Sequence, residues 1–154
     1  MSRVSKKAKR GSNRMGSALL VAVIAGFGGM ASAHAASTPL SKAVAEGKHI
    51  FIHDTFGSSR NMTCESCHKA AGMGQTVTPN GHHFPSLANA ATIFPRYNKH
   101  AGRVITIEDQ IRGCVARGIG GKPPAYGSKT MNALVAYLTS LSKGKPMDMG
   151  GKPK

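Results

Sequence analysis

Apolar residues recur at helical spacing in three separate stretches of the chain, and the residues bracketing each stretch have the character of helix ends. The first opens at Thr38-Pro39, a capping residue followed by a proline whose missing N–H costs nothing in a first turn. Leu40, Val44, Gly47 and Phe51 then fall along one face. The second opens at Thr106, with Asp109 three residues on as the acidic partner of a capping box. Ile107, Ile111, Cys114 and Val115 share a face, and Gly118 with Gly120-Gly121 ends the run. The third opens near Ser128, carries Met131, Leu134, Val135, Leu138 and Leu141, and stops before Lys143-Gly144. Between them, residues 69–105 show little periodicity and are rich in Gly, Pro, Asn and His, with no strand pattern longer than a few residues. So long a connection in a compact domain is unusual unless it is functional or wraps something. The pattern predicts an all-α domain of three to four helices joined by long irregular segments.

Upstream of the first helix the pattern changes kind. Arg3, Lys6, Lys7, Lys9, Arg10 and Arg14 precede an apolar run from about Met15 to Met30, and small residues follow from Ala31 to Ala36. Basic, then apolar, then small is the order of a secretory signal peptide. Gly26, Gly28 and Gly29 interrupt the apolar run, which falls short of the roughly 20 residues a membrane span needs. Residues 1–36 are therefore expected to be a cleaved signal for a periplasmic protein, residues 37–145 one domain, and residues 146–154 a disordered basic tail.

Removing the six basic residues of that leader takes the formal charge from +15 to +9, because all six acids lie beyond it. Such a balance favours acidic proteins, an anionic membrane surface or small anions. Export, and the want of a basic stripe interleaved with aromatics, count against nucleic acid. With no Trp, five Phe and 19 Gly, the core would be thin, and a buried apolar cofactor would supply the surface it needs.

Cys64-Glu65-Ser66-Cys67-His68 has the spacing of covalent haem c attachment. Two thiols at this separation reach the two vinyl groups on one haem edge, and the next residue's imidazole becomes an axial ligand of the iron. Zinc would need a further ligand pair, and a thioredoxin-like motif a βαβ setting; neither is present in the sequence. One motif implies one haem. Cys114 is left over in an oxidising compartment, where an unpaired cysteine reads as a disulfide partner, a reactive thiol or a ligand. As a small buried hydrophobe it would be unremarked. Its place on an apolar helix face, 46 residues beyond His68, favours the second axial position. Met131 is the main rival, since methionine commonly pairs with histidine on haem iron, although it also reads as core. Lys122, ahead of Pro123-Pro124, and His82, His83 and His100 complete the alternatives.

With these residues in view, the chain from about Gly47 to Pro146 resembles the thiosulfate dehydrogenase family and the related haem subunits of sulfur-oxidation complexes. Four stretches carry the resemblance: Thr63 to His68, Phe94 to Tyr97, Val104 to Cys114 and Met131 to Tyr137. It implies a class I cytochrome c-like fold, with Gly47, Phe51 and Tyr137 where the terminal helices cross. It also implies that Cys114 is the sixth ligand of the haem and that its sulfur takes part in chemistry on a sulfur oxyanion. The family usually carries two haems and this chain has one motif. Gln110 stands where the family has an arginine, Arg112 where it has an asparagine, and Gly118 where it has a serine. That arginine and serine help to hold the anion in the family, which leaves Arg96, Arg112, Arg117 and Lys122 to compensate. Two functions are consistent with this. The favoured one is a monohaem electron carrier serving oxidation of sulfur compounds such as thiosulfate, with another cytochrome or an oxidoreductase subunit as redox partner. The alternative is the catalytic haem subunit of a thiosulfate dehydrogenase, joining thiosulfate into tetrathionate with Cys114 as a catalytic residue.

Overall fold

The computed structural model describes residues 37–153; residues 1–36, expected to be a cleaved signal, lie outside the described residues. Helix α1 spans Pro39–His53, and its capping residue Thr38 accepts the Ser41 N–H at 3.1 Å. The last helix, α4, spans Lys129–Leu141 and is capped by Ser128, whose hydroxyl accepts the Met131 N–H at 3.2 Å. Between them lie a single turn α2 (Cys64–Cys67) and helix α3 (Ile107–Gly113).

Helices α1 and α4 cross at Gly47. A Cβ there would sit 2.6 Å from the Ala133 carbonyl carbon and 2.8 Å from the Tyr137 Cβ, so only glycine lets the backbones meet. The rings of Phe51 and Tyr137 then pack edge to face, 5.5 Å between centroids. Met131, Leu134 and Leu138 continue the core from α4 towards Ile111, Val115 and Ile119. A second small cluster joins Ile93, Phe94 and Ile105.

The capping box at the start of α3 forms as its spacing predicts. The Asp109 N–H donates to the Thr106 hydroxyl at 3.3 Å, and the Thr106 N–H donates to the Asp109 carboxylate at 2.9 Å. Arg103 donates to the same carboxylate at 2.9 Å and the Tyr126 hydroxyl at 2.6 Å. Beyond Gly113 the helix widens into a π turn over Cys114–Ile119, in which the Gly120 N–H reaches back to the Val115 carbonyl at 2.9 Å. Gly120, at φ 77°, ends it in the left-handed conformation.

The all-α expectation needs correction. Two short antiparallel ladders lie within the segment 69–105 or at its edge: β1 (Thr76–Val77) with β2 (His83–Phe84), and β3 (Arg96–Asn98) with β4 (Arg103–Ile105). Arms of two or three residues are too short for alternation to register in sequence. The tail also makes hydrogen bonds to the domain. The Asp148 N–H donates to the Thr92 carbonyl at 2.9 Å, the Gly150 N–H to Ile93 at 3.0 Å, and the Asn89 side chain to the Lys152 carbonyl at 3.1 Å. Backbone groups make most of this contact, and composition does not reveal them.

Gly47→Ala should destabilise the holoprotein by about 2–3 kcal/mol in urea denaturation, because the added methyl forces the two helices apart. Asp109 yields a pH signature. Bonds from Arg103, the Thr106 backbone and Tyr126 hold its carboxyl well below the usual carboxylate range. Its stabilising effect is therefore present above the unfolded pKa of about 4 and is lost as pH falls through the depressed folded value. Asp109→Asn should cost on the order of 1 kcal/mol at pH 7, as loss of a cap does, and the gap to wild type should narrow below about pH 4.

Candidate haem site

The attachment motif occupies α2, whose first turn is closed by the Thr63 N–H donating to the Ser66 hydroxyl at 3.0 Å. The chain then turns sharply. Ala70 and Ala71 adopt φ values of 53° and 52°, a conformation costing roughly 1–2 kcal/mol for a residue with a side chain. Two bonds on Ala71 hold it there: its N–H donates to the Glu65 carboxylate at 2.8 Å, and its carbonyl accepts from the Tyr137 hydroxyl at 2.5 Å. Glu65, inside the motif, thus fixes the turn that follows His68.

The His68 Nδ1 lies 3.2 Å from the Pro85 carbonyl oxygen. A carbonyl only accepts, so Nδ1 carries the hydrogen and Nε2 keeps its lone pair for another partner. Burial lowers the His68 pKa, which keeps the ring neutral near pH 7. Burial also pushes the Cys64 thiol up to about 12, with nearby Cys114 adding to the effect, and raises Cys67 by the same main cause. Cys114 opens the π turn, half-buried, and its Sγ accepts from Gln110 Nε2 at 3.3 Å.

Cys64, Cys67, His68 and Cys114 all lie on the wall of one cavity of about 340 Å³. Most of that wall is apolar, built from residues such as Phe51, Ile93, Phe94, Ile111, Leu134 and Leu138. The segment 69–105 supplies one side of it, as a wrapping loop would. His82 and His83 are also on the wall, at exposed positions. Met131 is fully buried in the α4 core and is not among the wall residues; Lys122 and His100 are exposed and stand off it as well. Of the four cations weighed for anion binding, Arg96 reaches the wall. Arg112 instead stacks 4.5 Å over the Tyr126 ring and donates to the Pro124 carbonyl, while Arg117 is exposed. Sequence reasoning missed Pro85 as the histidine's partner. It treated Gln110 only as a departure from the family, although its spacing four residues before Cys114 signals a shared helix face.

These residues fit a haem. The apolar wall suits the macrocycle, a neutral imidazole offers a lone pair, a soft sulfur lies on the same cavity, and two thiols sit beside the imidazole in the chain.

The model of the SoxA/TsdA cytochrome c domain family matches residues 46–147. A thiosulfate dehydrogenase of Psychrobacter arcticus is 34% identical over 85 residues, covering 55% of this chain and 24% of that protein. The thiosulfate dehydrogenase TsdBA of Marichromatium purpuratum aligns in structure with a TM-score of 0.54 and 24% identity, covering 73% of this chain and 25% of that one. SoxXA from P. pantotrophus aligns with a TM-score of 0.56 and 20% identity, covering 73% and 37%. The chain spans about a quarter to a third of the length of the curated relatives it matches. Helices crossing at a glycine, a wrapping segment and an apolar cavity carrying the C-x-x-C-H residues are accordingly those of a c-type cytochrome, which implies haem c, and the chain belongs to the SoxA/TsdA cytochrome c domain family.

Proposed function

We propose that this chain is an exported, periplasmic, monohaem c-type cytochrome that passes single electrons during oxidation of sulfur compounds such as thiosulfate. The observation that carries the reading is the meeting of Cys64, Cys67, His68 and Cys114 on one apolar cavity. In this reading Cys64 and Cys67 would form the thioethers, and His68 Nε2 and Cys114 Sγ would be the donors that hold the iron. Residues 1–36 are the cleaved export signal. Haem, when bound, supplies the one-electron ferric–ferrous couple. The chain's own residues prepare it: Pro85 holds the imidazole in the tautomer that offers Nε2, the apolar wall keeps water away, and a thiolate at Cys114 holds the potential low.

A SoxA relative of Pseudaminobacter salicylatoxidans bears the name of a subunit, which supports a protein redox partner here, another cytochrome or an oxidoreductase subunit. The +9 charge expected after export favours an acidic docking face on it, and also favours contact with anionic lipid. A second reading, the catalytic haem subunit of a thiosulfate dehydrogenase, is favoured by Arg96. Arg96 lines the cavity, a cation able to hold a sulfur oxyanion near Cys114. Joining two thiosulfates releases two electrons and one haem accepts one at a time, which keeps the carrier reading ahead.

Low-temperature EPR of the ferric holoprotein should give a low-spin, thiolate-type signal that Cys114→Ala abolishes. A histidine–methionine signal untouched by that change would remove Cys114 from the iron. Thiosulfate turnover with an artificial acceptor should stay at background, while a partner cytochrome oxidises the reduced holoprotein. Turnover well above background that falls at least tenfold in Cys114→Ala would replace the carrier reading with the catalytic one.

A further inference from the structure

Gln110 lies one turn before Cys114 on the same helix face, and both line the cavity. The two ends of its amide are chemically distinct. Its Oε1 accepts from an Arg96 guanidinium nitrogen at 3.2 Å, and its Nε2 donates to Cys114 Sγ at 3.3 Å. A guanidinium only donates, so the oxygen must face Arg96, and the NH₂ is then directed at the sulfur. Arg96 is itself anchored: its guanidinium lies 5.0 Å over the ring of buried Phe94. The three residues form a directed relay from the Ile93–Phe94–Ile105 cluster to the sulfur.

The geometry points to Gln110 as a positioning residue for Cys114, acting through an N–H···S hydrogen bond whose direction Arg96 sets. This rests on the reading of Cys114 as an axial donor. A hydrogen bond donated to a thiolate draws electron density away from the sulfur and weakens its donation to the metal. Outer-shell bonds of this kind tune a ligand's basicity and raise the potential relative to a bare thiolate. Gln110 therefore offsets part of the low potential that a thiolate ligand imposes, and it restricts the rotamer from which Sγ faces the cavity.

The test uses the holoprotein and reads the midpoint potential by spectroelectrochemical titration, together with the g-values of the ferric EPR signal. Gln110→Leu should lower the midpoint potential and shift the g-values while the thiolate-type signal persists. Gln110→Asn keeps an amide too short to bridge Arg96 and the sulfur, and it should move both readouts in the same direction. It serves as the deciding variant if the leucine protein does not mature. An unchanged potential and unchanged g-values in the variant that matures would overturn the proposal. Cys114→Ala, run in parallel, separates the two levels. Loss of the thiolate signal there alongside silent Gln110 variants overturns this proposal alone, whereas persistence of the signal overturns the ligand reading and this proposal with it.

Discussion

Two helix backbones touch at Gly47, and the closeness of that contact determines how far the side chains around it can reach. With α4 drawn in against α1, Tyr137 is buried beside Phe51, and its hydroxyl extends to the carbonyl of Ala71. That bond is one of the two side-chain bonds on the left-handed turn after His68. A wider crossing would withdraw the hydroxyl and leave the two disfavoured alanines to Glu65 and to the backbone bonds that Gly72, Met73 and Gly74 donate across the turn. The position of the imidazole thus depends on a glycine distant from it in the chain.

The sulfur side of the cavity has a different kind of support. Cys114 follows a helix whose start is set by polar groups near the surface, Arg103, Thr106 and Tyr126 converging on Asp109. The histidine side rests on the α1–α4 packing and on the hydrogen bonds at Ala71 and Pro85, none of which is an ion pair. The cysteine side rests partly on an ion pair whose arginine side chain is 58% exposed, so ionic strength weakens it. The two faces of one site can therefore loosen under different conditions.

The helices were legible because each has a capping residue and a period that local chemistry enforces: Thr38, Thr106 and Ser128 all cap where their spacing says they should. The attachment motif was legible because its chemistry requires fixed spacing. Harder to see was anything that depends on contacts between distant segments. The two ladders have arms too short to carry a pattern, and the tail binds residues 89–93 largely through backbone groups that every sequence possesses. Pro85 could not be picked out as the partner of His68, because a carbonyl acceptor leaves no mark on residue type. Among the cations, composition treated Arg96, Arg112, Arg117 and Lys122 alike; the fold of β3 is what sets Arg96 on the cavity and leaves Arg112 over Tyr126.

Phe51, Ile111, Ile119, Leu134 and Leu138 belong to the main core and also line the cavity. In most small domains a change inside the core is judged by folding alone and a change at the site by activity alone. Here the same five side chains answer to both. A substitution that preserves core volume can still reshape the surface presented to the cofactor, and one that improves the fit to the cofactor can cost the fold. Sequence drift at these positions is doubly constrained, so variants of this domain should diverge in their loops and surface charges well before they diverge in these walls.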